Sequence, residues 1–146
     1  MKHSTRTQNL TKNLAFRSVL RKEQTRICVE NIEFLAEKAK NSLNLIGIPP
    51  HIKGYRYLQY GIAAYCLYSG TIDGIQITKG IYPLLAEIFL STPAKIERNM
   101  RYAIMRLCDK EKTLLYNELF SRLIPEGEFP TNSVFLTAVA NYTKST

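Results

Sequence analysis

The sequence predicts an all-α fold, a six-helix domain containing a helix-turn-helix. Three observations carry that prediction. Apolar residues recur at three- and four-residue steps through most of the chain. No segment sustains the apolar–polar alternation of a half-buried strand followed by a hairpin turn. Pro, Gly and Thr punctuate the periodic stretches where helices start and stop. With 146 residues, 45% of them hydrophobic, the chain is long enough to bury one core and too apolar for wholesale disorder. It contains no internal repeat and no low-complexity tract.

Residues 1–26 mix Asn, Gln, Thr and basic groups with scattered apolar positions, the composition of a basic N-terminal tail or of a marginal helix. The helical domain is expected over residues 27–146. From Val29 the pattern sharpens: Ile32, Leu35, Ala36, Ala39, Leu43 and Ile46 mark one buried face of a first helix. Gly47 and Pro49-Pro50 end it, because Gly accepts a left-handed terminal residue and Pro cannot continue the ladder. A second helix is expected over about residues 51–69, with Ile52, Tyr55, Leu58, Ile62, Tyr65 and Cys66 inward and Lys53 and Arg56 outside. Turn residues Ser69, Gly70, Thr71, Asp73 and Gly74 follow. Thr78 is the candidate N-cap of a third helix reaching Phe89, and Pro83 inside it implies a bent first turn or a later start. Thr92 with Pro93 is a strong start signal for a fourth. A fifth helix is expected over about residues 111–123, then a loop at residues 125–130. Thr131 or Asn132 caps a sixth over residues 134–142, with Phe135, Val139 and Tyr142 inward.

The formal charge of +8 is unevenly placed. Residues 1–26 carry seven Lys/Arg against Glu23 alone, and residues 93–106 carry Lys95, Arg98, Arg101 and Arg106 against Glu97. The remainder of the chain is close to neutral, so the excess points to a directed anionic partner. Cys28, Cys66 and Cys108 are odd in number and widely spaced, the usage of reduced, mostly buried thiols in a cytoplasmic protein. The start is polar and basic with no apolar h-region of a secretory signal, and the longest apolar run, Ile62 to Tyr68, is far too short for a bilayer span, so no membrane association is expected. His3 and His51 do not sit at metal-ligand spacing from any Cys or carboxylate, and no Gly-rich phosphate loop or nucleophile–base arrangement occurs. No metal, no cofactor and no enzymatic activity are expected.

On a helical wheel at about 100° per residue, Ile96, Met100, Ala103, Ile104 and Leu107 fall on one side of the fourth helix. Lys95, Arg98, Asn99, Arg101 and Tyr102 occupy the other, with Arg98 opposite the apolar centre and Glu97 at the border. Such a face can enter the major groove of double-stranded DNA, where the planar fork of Arg donates two hydrogen bonds to guanine O6 and N7, worth roughly 1–3 kcal/mol of discrimination. Glu97 can accept from a cytosine amino group or pair with Arg101 at i+4. Lys79, Thr92 and the backbone N–H groups around them are candidate phosphate contacts. Tyr55, Tyr65 and Tyr82 lie on apolar stripes and read as core, which leaves Tyr102 as the one tyrosine placed to meet a partner.

Several stretches carry a family resemblance: Ile46-Gly-Ile-Pro-Pro-His-Ile-Lys-Gly-Tyr-Arg-Tyr-Leu58, Ile77-Thr-Lys, Tyr82-Pro83, Ile96-Glu-Arg with Arg101 and Ala103-Ile104, and Pro130-Thr-Asn-Ser-Val-Phe135. Together, over roughly residues 44–140, they resemble the C-terminal DNA-binding effector domain of the sporulation response regulator, stage-zero sporulation protein A. The resemblance implies six helices with a helix-turn-helix and sequence-specific binding to promoter boxes, as paired or tandem copies. The family's recognition-helix contacts fall on Lys95, Glu97, Arg98 and Arg101, and Lys95 stands where the family motif typically has Arg. By the same analogy, residues 111–122 would meet RNA polymerase, at its sigma subunit. The family's phosphoacceptor receiver has no room before the match, so control by phosphorylation is not expected. The alternative is a protein-interaction module, an antagonist pairing with a full-length regulator; retention of Glu97, Arg98 and Arg101 favours DNA binding.

The basic segment is expected to add nonspecific phosphate contacts to that binding. The slope of log affinity against log salt should then be steeper for the full chain than for a version starting at Cys28; equal slopes would dismiss the idea.

Overall fold

The computed structural model describes residues 21–69, 74–107, 109 and 111–146, with side chains from residue 31 onward. Residues 1–20, the loop positions Gly70, Thr71 and Asp73, and the thiols of Cys28 and Cys108 lie outside the described residues. Those described form six α-helices and no strand: α1 (Arg21–Ile46), α2 (Lys53–Tyr68), α3 (Tyr82–Ile88), α4 (Pro93–Leu107), α5 (Leu114–Phe120) and α6 (Asn132–Ser145). A π-helical turn, Ile77–Ile81, precedes α3. The fold is all-α, and α3 and α4, joined by residues 89–92, form the helix-turn-helix.

α1 buries Ile32, Ala36, Ala39, Leu43 and Ile46, the stripe its spacing marks out, but it begins at Arg21, so part of the basic segment is helical. Gly47, at φ 108°, ends it: the Gly47 and Ile48 N–H groups both donate to the Leu43 carbonyl, at 2.9 and 3.1 Å. α2 is the central helix, packed on α1, α4 and α6. It starts at Lys53 rather than His51, with Ile52 at the N-cap position and His51 exposed. Buried Gln59 donates to the Ala36 carbonyl at 2.9 Å, and the Tyr55 hydroxyl donates to Asn44 Oδ1 at 2.7 Å, so two polar links register α2 on α1. On the far side of the core, the Phe120 and Phe135 rings stack 5.6 Å apart and join α5 to α6. Each such fully buried side chain contributes about 1.5–3 kcal/mol of apolar transfer energy.

The boundaries of α3, α5 and α6 also depart from the pattern-based expectation. Thr78 caps nothing: Gln76 holds the N-cap position, and the Ile81 N–H reaches five residues back to the Gln76 carbonyl at 2.9 Å. The wider π ladder absorbs the residue that Pro83, lacking an N–H, prevents the α pattern from using, and α3 starts afresh with Pro83 in its first turn. α5 is shorter than residues 111–123, because the Thr113 hydroxyl accepts from the Tyr116 N–H at 3.1 Å and donates to the Ile46 carbonyl at 2.9 Å. It stops where Leu123 and Ile124 both donate to the Phe120 carbonyl. Thr131 caps α6, accepting from the Val134 N–H at 3.2 Å, and the helix runs on to Ser145 with Thr143 buried against Ser42 of α1.

Two helices approach closely at Gly54. A Cβ there would lie 2.1 Å from the Asn99 carbonyl oxygen and 2.9 Å from Ala103 Cβ, both on α4. At Gly61 it would meet the terminal methyl of Met100 at 3.0 Å, an atom free to move. Gly54→Ala is therefore expected to destabilise the fold by about 2 kcal/mol. Gly61→Ala should cost clearly less, and a pair of thermal melts checks the order.

Candidate nucleic-acid interface

α4 owes its start to Thr92 and Pro93. The Lys95 N–H donates to Thr92 Oγ1 at 3.2 Å and the Ile96 N–H to the Thr92 carbonyl at 3.0 Å, while Pro93 occupies the first helical position. The turn before it is strained. α3 ends at Ile88 with Phe89 as its C-cap, and Leu90 follows at φ 55° so that the Ser91 N–H can reach the Ala86 carbonyl at 2.8 Å. Gly47 makes the same closing pattern after α1 without a side chain, whereas Leu90 adopts it at a cost of roughly 1–2 kcal/mol.

Ile96, Met100, Ala103, Ile104 and Leu107 are all buried, so the apolar side of the wheel is the packed one. Lys95, Arg98, Arg101 and Tyr102 are exposed. Among the described residues, neither Arg98 nor the Lys95 side chain has an ion pair or a hydrogen bond. Arg101 forms the i,i+4 ion pair with Glu97. With the two side chains 46% and 37% exposed, that pair adds about 0.5 kcal/mol or less and mainly holds the guanidinium in place.

Two residues of the outer face are engaged inward or sideways. Asn99 is half-buried; its Nδ2 folds back to the Lys95 carbonyl at 2.8 Å, beneath the approach of Gly54, so it does not project with Arg98. The Tyr102 hydroxyl accepts from Arg106 Nη1 at 3.1 Å, and the Arg106 guanidinium sits 5.8 Å over its ring. That hydrogen bond pushes the Arg106 pKa up. Arg106 lies 3.8 Å from Asp109 as well, and its Tyr-to-Arg spacing of one turn is a signal the sequence carried. Lys79 projects from the π turn, exposed and unpaired among the described residues, while the Thr92 hydroxyl is committed to its cap.

The opposite flank of α4 is clasped by Asn132, which the sequence offered only as an alternative to Thr131 for the cap of α6. Buried, its Nδ2 donates to both the Tyr82 hydroxyl and the Glu97 carbonyl, each at 3.0 Å, tying α3, α4 and α6 together. Its Oδ1 is buried without a partner among the described residues. Turning the amide over would set that oxygen against the Glu97 carbonyl, so one orphaned acceptor is the lesser cost. Burial pushes the Tyr82 phenol up, and it reaches the clasp uncharged. A shallow cleft of about 250 Å³ lies outside, lined by Glu97, Arg101, Pro130 and Asn132 among others.

The geometry thus presents a short cationic rod, packed on one side and open on the other. The family described as sporulation initiation factor Spo0A C terminal matches residues 39–143, a span that includes every side chain of this face.

Asn132→Ala should lower stability by about 1–3 kcal/mol, since it removes two hydrogen bonds and leaves the buried Tyr82 hydroxyl without its Asn132 partner. Urea unfolding of the variant measures that loss, and an unchanged midpoint would contradict the clasp.

Proposed function

The chain belongs to this family of sporulation initiation factor C-terminal domains, which bind DNA and regulate transcription, and we propose that its α4 reads promoter boxes in the major groove. The observation that carries this reading is the exposed, unpaired Arg98 at the centre of the outer face, with Lys95 and Arg101 to either side. Arg98 serves as the guanine reader, donating from both arms of its fork. Lys95, at the helix start, meets a phosphate or a base edge as a flexible point charge. Glu97 presents Arg101 to the groove and offers an acceptor to cytosine. Thr92 and Lys79 lie at helix starts, where duplex phosphates are usually held. Tyr102 contributes at the margin through Arg106, and Asn99 acts chiefly by fixing the α2 contact.

Copies bind in pairs or in tandem on the promoter, and α5, where Leu114 is 88% exposed, supplies a surface for the RNA polymerase sigma subunit. Both features rest on the family relationship. A mobility-shift titration would resolve the stoichiometry, with saturation at one copy per two-box duplex counting against pairing. Loss of sigma capture in Leu114→Asp would support the second, and undiminished capture would refute it. No helix among the described residues is long and apolar enough to cross a membrane, in keeping with action on cytoplasmic DNA.

Arg98→Ala is expected to weaken binding to a selected box at least about tenfold while leaving binding to a scrambled duplex nearly unchanged. Circular dichroism of the variant should match the parent. Equal affinity of parent and variant for the box would remove direct readout and favour the protein-interaction reading.

A further inference from the structure

We propose that Arg56, on α2, is a pre-positioned contact to the DNA backbone that carries the binding face beyond α4 to the entrance of the helix-turn-helix. The inference rests on the DNA-binding reading above and extends it to a side chain outside the helix-turn-helix.

Placement comes first. Gly54 lies directly on Asn99 and Ala103, so the start of α2 runs alongside α4. Arg56, two residues on, lies about 160° around α2 from Gly54 and so faces away from α4; there its guanidinium sits 5.4 Å from the centre of the Phe89 ring and 5.7 Å from that of Tyr60. Phe89 is the C-cap of α3, where the turn into α4 begins. The cation is thus fixed beside the segment that delivers the recognition helix.

Order comes second. Phe89 is braced by Tyr57 at 5.2 Å and by the edge of Tyr60 at 5.6 Å, and the Tyr60 hydroxyl is itself held by Glu33 at 2.9 Å. A guanidinium resting on such a frame, with one arm hydrogen-bonded to the Tyr60 hydroxyl, has lost much of its rotamer freedom before any ligand arrives, and its five-donor fork keeps further N–H groups for one. Tyr60 stands between Arg56 and Glu33, and among the described residues Arg56 forms no ion pair. It is exposed, as is Lys53 three residues earlier on the same side of α2. Aromatic packing has placed a charge at the surface without neutralising it.

The ligand chemistry follows from position. Arg56 belongs to a supporting helix flanking the reading element, where proteins of this architecture touch phosphate and sugar rather than base edges. Such a contact positions the duplex and adds affinity without sequence preference.

The test uses the full chain, a duplex carrying a box selected from a random pool, and a scrambled duplex of the same composition. Arg56→Gln should lower affinity for both duplexes by the same factor and reduce the slope of log affinity against log salt by about 0.9, the loss of one phosphate contact. An unchanged slope, or a loss confined to the selected box, would overturn the proposal. Arg56→Met and Arg56→Lys both remove the guanidinium and only the second keeps the charge, so they decide the matter even where Arg56→Gln melts early. Their slopes should differ by about 0.9, and equal slopes would again overturn it. Failure of the parent chain to bind either duplex would sink the DNA-binding reading itself, a result distinct from a parent that binds while Arg56→Gln behaves like it.

Discussion

The arrangement depends on two helix backbones meeting where one of them has no side chain. α2 can lie against α4 only because position 54 is glycine; any Cβ there would overlap the Asn99 carbonyl. That approach sets how deeply α4 sinks into the bundle, and so how far Arg98 stands clear of it. The entropic cost of glycine inside a helix, roughly 0.5–1 kcal/mol, is the cost of that proximity. Buried apolar area holds α4 down through Ile96, Met100 and Ile104, but apolar packing alone is tolerant of rotation and sliding. The backbone contact is not tolerant, and it converts a generally amphipathic helix into one with a defined outward edge.

The two flanks of α4 are restrained by different physics. Toward α2 the restraint is steric. Toward α6 it is a pair of hydrogen bonds from Asn132, one of which takes the carbonyl of Glu97 while the carboxylate of the same residue holds Arg101. Glu97 therefore couples the inner scaffold to the outer charge through a single residue. A cationic face held on both sides has little freedom to lose on meeting a rigid polyanion, which is the value of pre-organisation in a binding site. The Asn132 Oδ1 left without a partner shows that this restraint was achieved at some local expense.

How much of this was readable beforehand varied with the range of the interaction. The start of α4 was legible because Thr92-Pro93 is a local signal, and so were its five inner residues, because a period of 3.6 is local as well. The same held for Gly47 ending α1. The π turn escaped because Thr78 is an acceptable cap in isolation; what displaced it was the missing N–H of Pro83 several residues later. Asn132 looked like no more than an alternative cap because its partners are 50 and 35 residues away in the chain, beyond the reach of any local pattern. Asn99 and Tyr102 were placed on the outer face by the wheel, which gives direction but not partners; the Lys95 carbonyl and Arg106 draw them aside. Arg56 was visible as an outward cation, but its aromatic seat joins α2 to the end of α3 and emerges only from the folded chain.

Leu90 adds a last consequence. Its left-handed backbone is imposed from outside, since nothing in a leucine favours that conformation and its side chain, 74% exposed, gains little burial in return. The bend between α3 and α4 is thus a property of the whole bundle and not of the segment that makes it. Excised as a peptide or transplanted into a foreign host protein, residues 82–107 would relax at that corner, and the angle between the two rods would be lost. Transferring this pair of helices elsewhere would require carrying its supporting helices along, or first replacing the leucine with a residue content to turn that way.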